Sequence, residues 1–408
     1  MTIDARPVPF DDAFATRQLG WEAFGVPSTP PREMDPATWP LVNSRVWGGY
    51  DDGVLVAVMY VRAFTSWFHG ARVPTAGMAG VTVAAESRGS GVLRPLFDAA
   101  LAEARERGEV ISTLYPSSAG IYRSVGYEVV GSFDDVRIPM SALARVRPPA
   151  PGVRARRATS ADVPAIARVY ETWAAAQNGP LTRAEEPFAF VADEMFGPES
   201  EYTGVTLALG PEGDVLGFTS WSRGSGYDRT NAIAVDDLIA LTPDAARVLW
   251  RTLGSFDSVA GYVALSTSGG WTGADPSRLV LPDHAATTTP RPYMLRVLDV
   301  AGAMAAARLA PLTARVPFAV VDARTPDIEG AWTLEVSDGV GRAVPDDVVG
   351  DPSDDRLTFT SAGLAASYAG AASTANLRLA GHLTGPATHD SVWDALWRGR
   401  DVHVRDYF

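Results

Sequence analysis

Apolar and β-branched runs at 54–61, 78–84 and 110–115 read as strands. Amphipathic runs at 11–24 and 92–107 read as helices, the first carrying Phe14, Leu19, Trp21 and Phe24. The Pro-rich break Arg147-Pro148-Pro149-Ala150-Pro151-Gly152 then interrupts the pattern, because proline fixes φ and has no ladder N–H. Beyond it the pattern starts again. Residues 155–162 can be laid on residues 5–12, and Glu212-Gly213-Asp214-Val215-Leu216 resembles the hairpin at Asp51-Asp52-Gly53-Val54-Leu55. A third section begins near Leu298 with an Ala-rich helix, strand-like segments at 318–321, 331–336 and 357–360, and helices at 361–368 and 391–397. Its last residues, Val402-His403-Val404-Arg405-Asp406-Tyr407-Phe408, read as a strand-forming, aromatic-tipped segment. The expected division is 1–147, 153–296 and 297–408.

One stretch points to chemistry. Val81-Thr82-Val83 leads into Arg88-Gly89-Ser90-Gly91-Val92-Leu93-Arg94, a strand running through a glycine turn into the 92–107 helix. That order presents backbone N–H groups and the positive end of a helix dipole to a pyrophosphate. The free edge of the strand could pair with an extended pantetheine arm. Downstream, Leu114-Tyr115-Pro116-Ser117-Ser118 leaves a strand and Gly120-Ile121-Tyr122 begins a helix, which places a phenol near the cradle. In the second section the matching segment, Leu241-Thr242-Pro243-Asp244-Ala245, has no glycine and an added carboxylate. It reads as a copy that has lost the cofactor.

These motifs resemble the GCN5-related N-acetyltransferase (GNAT) superfamily, whose Arg/Gln-x-x-Gly-x-Gly/Ala signature matches 88–93, with Leu93 at the last position. The Leu-Tyr-Pro-Ser and Tyr-Arg-x-x-Gly-Tyr motifs at 114–117 and 122–127 resemble the Eis (enhanced intracellular survival) type. The resemblance implies an α+β chain of tandem GNAT (acyl-CoA N-acyltransferase) domains with mixed central sheets flanked by helices, the second degenerate. A sterol-carrier-like α+β domain would follow. It further implies acetyl-CoA contacts at Val81, Thr82, Val83, Arg88, Gly89, Ser90, Gly91, Val92, Leu93, Arg94, Ser117 and Ser118. Tyr122 would be the general acid, the carboxylate of Phe408 the base, and the assembly a hexamer. Trp21, Phe24, Trp39, Asp406 and Tyr407 are candidates for the acceptor pocket. Family members acting on aminoglycosides use acids near the acceptor amine, whereas Val26 and Tyr407 stand here.

Composition narrows the classes. A net charge of −13 over 408 residues argues against nucleic-acid binding and suits a cationic small substrate. With no cysteine, thiolate catalysis and Cys-ligated zinc are excluded. No metal is expected, since His69, His284, His382, His389 and His403 are scattered, and His389-Asp390-Ser391 reads as a helix N-cap. No apolar run reaches the ~18 residues of a membrane span, residues 1–6 show no secretory pattern, and a cytoplasmic location is expected. All 35 basic residues are arginine, so such an enzyme has no lysine of its own to modify. The reading is an N-acetyltransferase acting on a primary amine. Its alternatives are a protein lysine acetyltransferase and a non-catalytic acyl-CoA or lipid-binding protein.

Overall fold

The computed structural model describes residues 3–28, 34–269, 276–281, 286–346 and 355–408. The first part runs β1 (Asp4–Pro7), α1 (Ala13–Phe24), β2 (Ser44–Asp51), β3 (Val54–Phe68) and β4 (Ala71–Val83). It continues through α2 (Leu93–Glu106), β5 (Ile111–Leu114), α3 (Ala119–Arg123), β6 (Glu128–Pro139) and α4 (Met140–Leu143). In α2 the residues Leu96, Phe97, Ala100, Leu101 and Ala104 form one buried stripe, and Gly108 beyond its end takes φ +81°.

The second part repeats that order with β7 (Arg154–Arg157), α5 (Val163–Ala174), α6 (Ala192–Phe196), β8 (Gly204–Leu209) and β9 (Val215–Arg223). Then come β10 (Ala232–Ala240), α7 (Pro243–Gly254), β11 (Tyr262–Ser268) and β12 (Thr287–Val297). The two parts share one twelve-stranded sheet, ordered β1-β2-β3-β4-β5-β12-β6-β11-β10-β9-β8-β7. Each closes with a strand of the other: β12 lies beside β5, and β6 beside β11. These two closing strands also pair with each other. Segments 1–147 and 153–296 are thus separate in the chain but interleaved in the sheet.

The third part comprises α8 (Val300–Ala306), β13 (Ala314–Val320), β14 (Gly330–Ser337), β15 (Val340–Pro345) and β16 (Leu357–Phe359). It ends with α9 (Ser361–Tyr368), α10 (Thr374–Leu379), β17 (Leu383–Thr384) and α11 (Asp390–Trp397). Its five strands form a second sheet, β15-β14-β13-β16-β17. Phe318, Leu334, Leu364 and Trp393 of this part share one core with Ile111, Phe133 and Tyr293 of the large sheet. The tail differs from its expected strand: it makes one bridge, Asn178 to Val402, and is otherwise held by side chains. Among the described residues no helix is long and apolar enough to cross a membrane.

The third part also braces α3. Its Arg324 donates to the carbonyl of Arg123 (3.4 Å), and its Asp327 pairs (2.6 Å) with buried Arg296 of β12, which donates to the carbonyl of Val125 (2.6 Å). Carbonyls at a helix C-terminus have no partner within the helix, and a cation there also suits the dipole. Gly126, at φ +90°, lies where a Cβ would come 2.4 Å from Thr325, whereas Gly53, at φ +80°, faces open space. Gly53→Ala should therefore cost about 1 kcal/mol for backbone strain alone, and Gly126→Ala roughly 2–3 kcal/mol. Urea denaturation of both variants checks this, and equal losses would show that Thr325 exerts no pressure on the turn.

Candidate active site

β4 pairs with β3 from Ala71↔Phe68 to Val83↔Ala57, but with β5 only from Thr75↔Ile111 to Met78↔Leu114. Beyond those last pairs the two strands diverge. Two features cause the split. On β4, Gly80 and Val81 form a bulge opposite Met59, with Gly80 at φ +54° against the Tyr60 ring. On the other prong, Pro116 stops the β5 ladder because it has no N–H. Among the described residues, the edge at Val81, Thr82 and Val83 is left without a strand neighbour on the fork side, and the buried Thr82 hydroxyl has no hydrogen-bond partner.

The fork leads into the glycine turn. Gly89 and Gly91 take φ of +78° and +85°, and a side chain at either would project into open space. Among the described residues, the N–H groups of Gly89, Gly91, Val92 and Leu93 donate to nothing. Free amides at the start of a fourteen-residue helix suit an anion. The side chains of the turn face elsewhere. Ser90 Oγ donates to the Ser87 carbonyl (2.5 Å), and Arg88 Nε donates to the Val83 carbonyl (3.2 Å). Arg94 pairs with Asp98 (3.0 Å) and donates to the Arg324 carbonyl of the third part (2.7 Å). Glu22, absent from the sequence reading, steadies the approach by accepting from Ala85 N–H (2.6 Å).

Ser117 and Ser118 are exposed at the start of α3, and Tyr122 is buried within it. The Tyr122 ring meets Phe97 edge-on at 6.0 Å and Tyr127 at 6.4 Å. Burial raises the phenol above its ordinary 10.0, and a hydrogen bond with Ser117 partly offsets this. The group therefore keeps its proton at neutral pH.

Phe408 reaches the same fork from the far end of the chain. Its ring meets Phe64 at 4.7 Å and Tyr115 at 5.4 Å, lying over Gly77, where a Cβ would be 2.9 Å from it. Gly77 pairs with Thr113, one step before the strands part. The preceding residues are pinned one by one. Tyr115 OH donates to the Asp406 carbonyl (2.6 Å), and the Tyr407 ring packs tilted against Tyr115 at 4.6 Å. Arg183 joins Asp406 (2.8 Å) to Asp237 (2.5 Å), which also accepts from Arg405 (3.1 Å). All four of these side chains are shielded from water. Burial disfavours the Asp237 anion, yet Arg183 and Arg405 outweigh it and hold its pKa low. For Asp406 burial prevails, and its pKa is raised.

The proposed acceptor residues are only partly gathered. Trp21 meets Phe14 edge-on at 6.1 Å, and Phe24 is 67 % exposed. Trp39 donates from Nε1 to the Val8 carbonyl (3.4 Å), in its own cluster with Phe10. Tyr407 is 56 % exposed, with Arg291 over its ring, whereas Asp406 is engaged with Arg183. Phe188, whose ring contacts Phe64 at 5.2 Å, also lines a cavity of about 680 Å³. Asp193, Glu194, Glu199, Glu201 and Asp236 line it.

The histidines take structural roles. His69 bonds the Tyr368 carbonyl (2.5 Å), and burial lowers its pKa to about 4. His403 meets Trp173, His382 bonds Thr360, and His284 lies outside the described residues. His389 does stand at the N-cap of α11, though its side chain makes no capping bond.

Removing Arg183 alone would leave two buried carboxylates short of a partner. Arg183→Met should cost about 3–5 kcal/mol, read from the denaturant midpoint. A loss under 1 kcal/mol would show that the network is not the anchor of the tail.

Comparison with known proteins agrees with this geometry. Residues 5–130 and 179–298 match two acetyltransferase (GNAT) domain families, and residues 300–405 match a sterol carrier protein domain. A GCN5-related N-acetyltransferase from Kribbella flavida is 32 % identical, covering 100 % of this chain and 99 % of its own, with a TM-score of 0.82. An uncharacterized N-acetyltransferase of Streptomyces avermitilis is 29 % identical over 97 % of this chain and 96 % of its own. The N-acetyltransferase Eis of Mycobacterium tuberculosis is 28 % identical over 74 % of each chain.

Proposed function

The chain belongs to the GCN5-related N-acetyltransferases of the Eis type, and we propose the reaction it performs. An acetyl group passes from acetyl-CoA directly to a primary amine of a small cationic molecule, aminoglycoside- or polyamine-like. The observation that carries this reading is the meeting of three features at one place: the open fork, the glycine turn with its free amides, and the tail ending in Phe408. The donor fits these groups. Amides at Gly89, Gly91, Val92 and Leu93 would hold its pyrophosphate, and the edge at Val81 to Val83 its pantetheine arm.

Two groups of this chain serve the transfer. The carboxylate that Phe408 carries holds the acceptor ammonium and takes its proton, directly or through a water. Since an α-carboxyl group ordinarily titrates near ~3.5, such a group acts more by holding than by basicity. The freed amine forms the new N–C bond as the C–S bond breaks, Tyr122 OH gives its proton to the departing sulfur, and the surplus proton on the new amide nitrogen returns, through water, to the Tyr122 phenolate. A thiol near ~8.5 and a phenol that burial raises above its ordinary ~10 make that step uphill. No covalent enzyme intermediate is required. The carboxylates of the 680 Å³ cavity support a cationic acceptor, since Asp193, Glu194, Glu199 and Glu201 form no ion pair among the described residues. A cytoplasmic location and a hexameric assembly complete the proposal.

Thiol release from acetyl-CoA, measured against a panel of amines, tests the reading. Turnover is expected with small polyamines or aminoglycosides, and thermal stabilisation by acetyl-CoA without any turnover would favour the acyl-CoA-binding alternative. Tyr122→Phe should lower kcat by roughly 10²-fold or more and leave acetyl-CoA affinity unchanged. Because the raised phenol stays protonated, the alkaline limb of kcat should lie above pH 10.0. Tyr122→Phe with undiminished kcat would remove the acid assignment.

A further inference from the structure

The second half of the sheet repeats the fork. β10 and β11 pair in parallel over four positions, Ala232↔Tyr262 to Val235↔Leu265, as β4 and β5 do from Thr75↔Ile111 to Met78↔Leu114. A register shift between Val235 and Asp237 leaves Asp236 as the bulged residue, where β4 bulges at Gly80 and Val81. Past these pairs β10 continues along β9 and β11 along β6, so a second gap opens between them.

That gap is filled by the chain itself. The Arg405 guanidinium donates to the Ser266 carbonyl on one prong (2.7 Å) and the Asp236 carbonyl on the other. It also pairs with the Asp237 carboxylate. The neighbouring tail residues bond along the β11 prong. Val404 N–H donates to Ser268 Oγ (3.2 Å), and His403 Nε2 lies 3.2 Å from the Thr267 hydroxyl. Two amides at the start of the following helix, those of Ala245 and Ala246, are engaged as well. Thr242 caps α7 by accepting from Ala245 N–H, and Asp244 accepts from Ala150 N–H (3.1 Å). Where the first fork has free amides, this copy has the Ser266 and Asp236 carbonyls and the Ala245 and Ala246 amides satisfied from within.

We propose that the vestigial cofactor fork of the second half is a docking site for this chain's own tail, with Arg405 as the residue that positions Phe408 at the first fork. Phe408 is only three positions beyond Arg405, a reach of about 11 Å at most. Whatever holds Arg405 therefore limits where the last residue can lie. Arginine suits the task because its planar fork can bond two diverging carbonyls and a carboxylate together. The consequence for turnover rests on the reading of Phe408 as the base, whereas the docking does not.

Carboxypeptidase digestion followed by intact mass separates the two. Phe408 and Tyr407 should resist release in the unaltered protein and be lost at least about tenfold faster from Arg405→Met. Arg405→Met/Asp237→Asn also removes the carboxylate that would be left short of a partner, so its retained acetyl-CoA affinity serves as the control for folding. Both variants should lose kcat by roughly tenfold or more with acetyl-CoA affinity unchanged, and Arg405→Lys should recover part of it. Equal release rates in all forms would overturn the docking proposal. Faster release with undiminished kcat would leave the docking standing and refute the terminal carboxylate as the base.

Discussion

Four charged side chains, Arg183, Asp237, Arg405 and Asp406, neutralise one another away from water, and the course of the tail depends on them. Buried ion pairs contribute little net stability, because desolvation offsets most of the Coulombic gain. They are unforgiving about position, since a shifted tail would leave a charge with no partner. Apolar contacts such as Val402 over Gly131 hold the segment down but tolerate sliding. The charge network sets its register.

That constraint explains a division of labour within a duplicated sheet. The first fork keeps its amides free and its glycines unobstructed, which suits a cofactor that arrives and leaves. The second uses the same split between parallel strands to hold a permanent occupant, the guanidinium of Arg405. The exchange of β6 and β12 couples the two forks, because each half is completed by the other and neither can shift alone. The third part completes the frame. It shares a core with the large sheet, caps the end of α3 behind Tyr122 through Arg324, and supplies the tail.

What could be read from the sequence was local. The strand, glycine turn and helix around Arg88–Gly91 were legible because positive-φ glycines and an amphipathic stripe are adjacent in the chain. The start of the second copy's helix was legible too, since Thr242, Pro243 and Asp244 are capping-type residues and Thr242 does cap α7. Non-local pairing was not. Nothing in the alternation of β12 says that its neighbours will be β5 and β6. Glu22 and Gly77 act across distant parts of the chain and carry no motif. The tail alternates like a strand, yet Arg405 and Asp406 bond through side chains, so the periodicity pointed to the wrong partner. One signal was available: two adjacent acids, Asp236 and Asp237, in an otherwise apolar strand imply cations nearby. Asp406, taken as an acceptor contact, is one of the residues those cations hold.

The account comes down to the carboxylate of Phe408, and its most direct test is to move it. Appending a single glycine after Phe408 leaves the ring, the tail network and the first fork in place but carries the charge about 3.5 Å farther along the chain. The account predicts a fall in kcat of roughly 10²-fold or more, with acetyl-CoA affinity unchanged. Full turnover by the extended chain would contradict it.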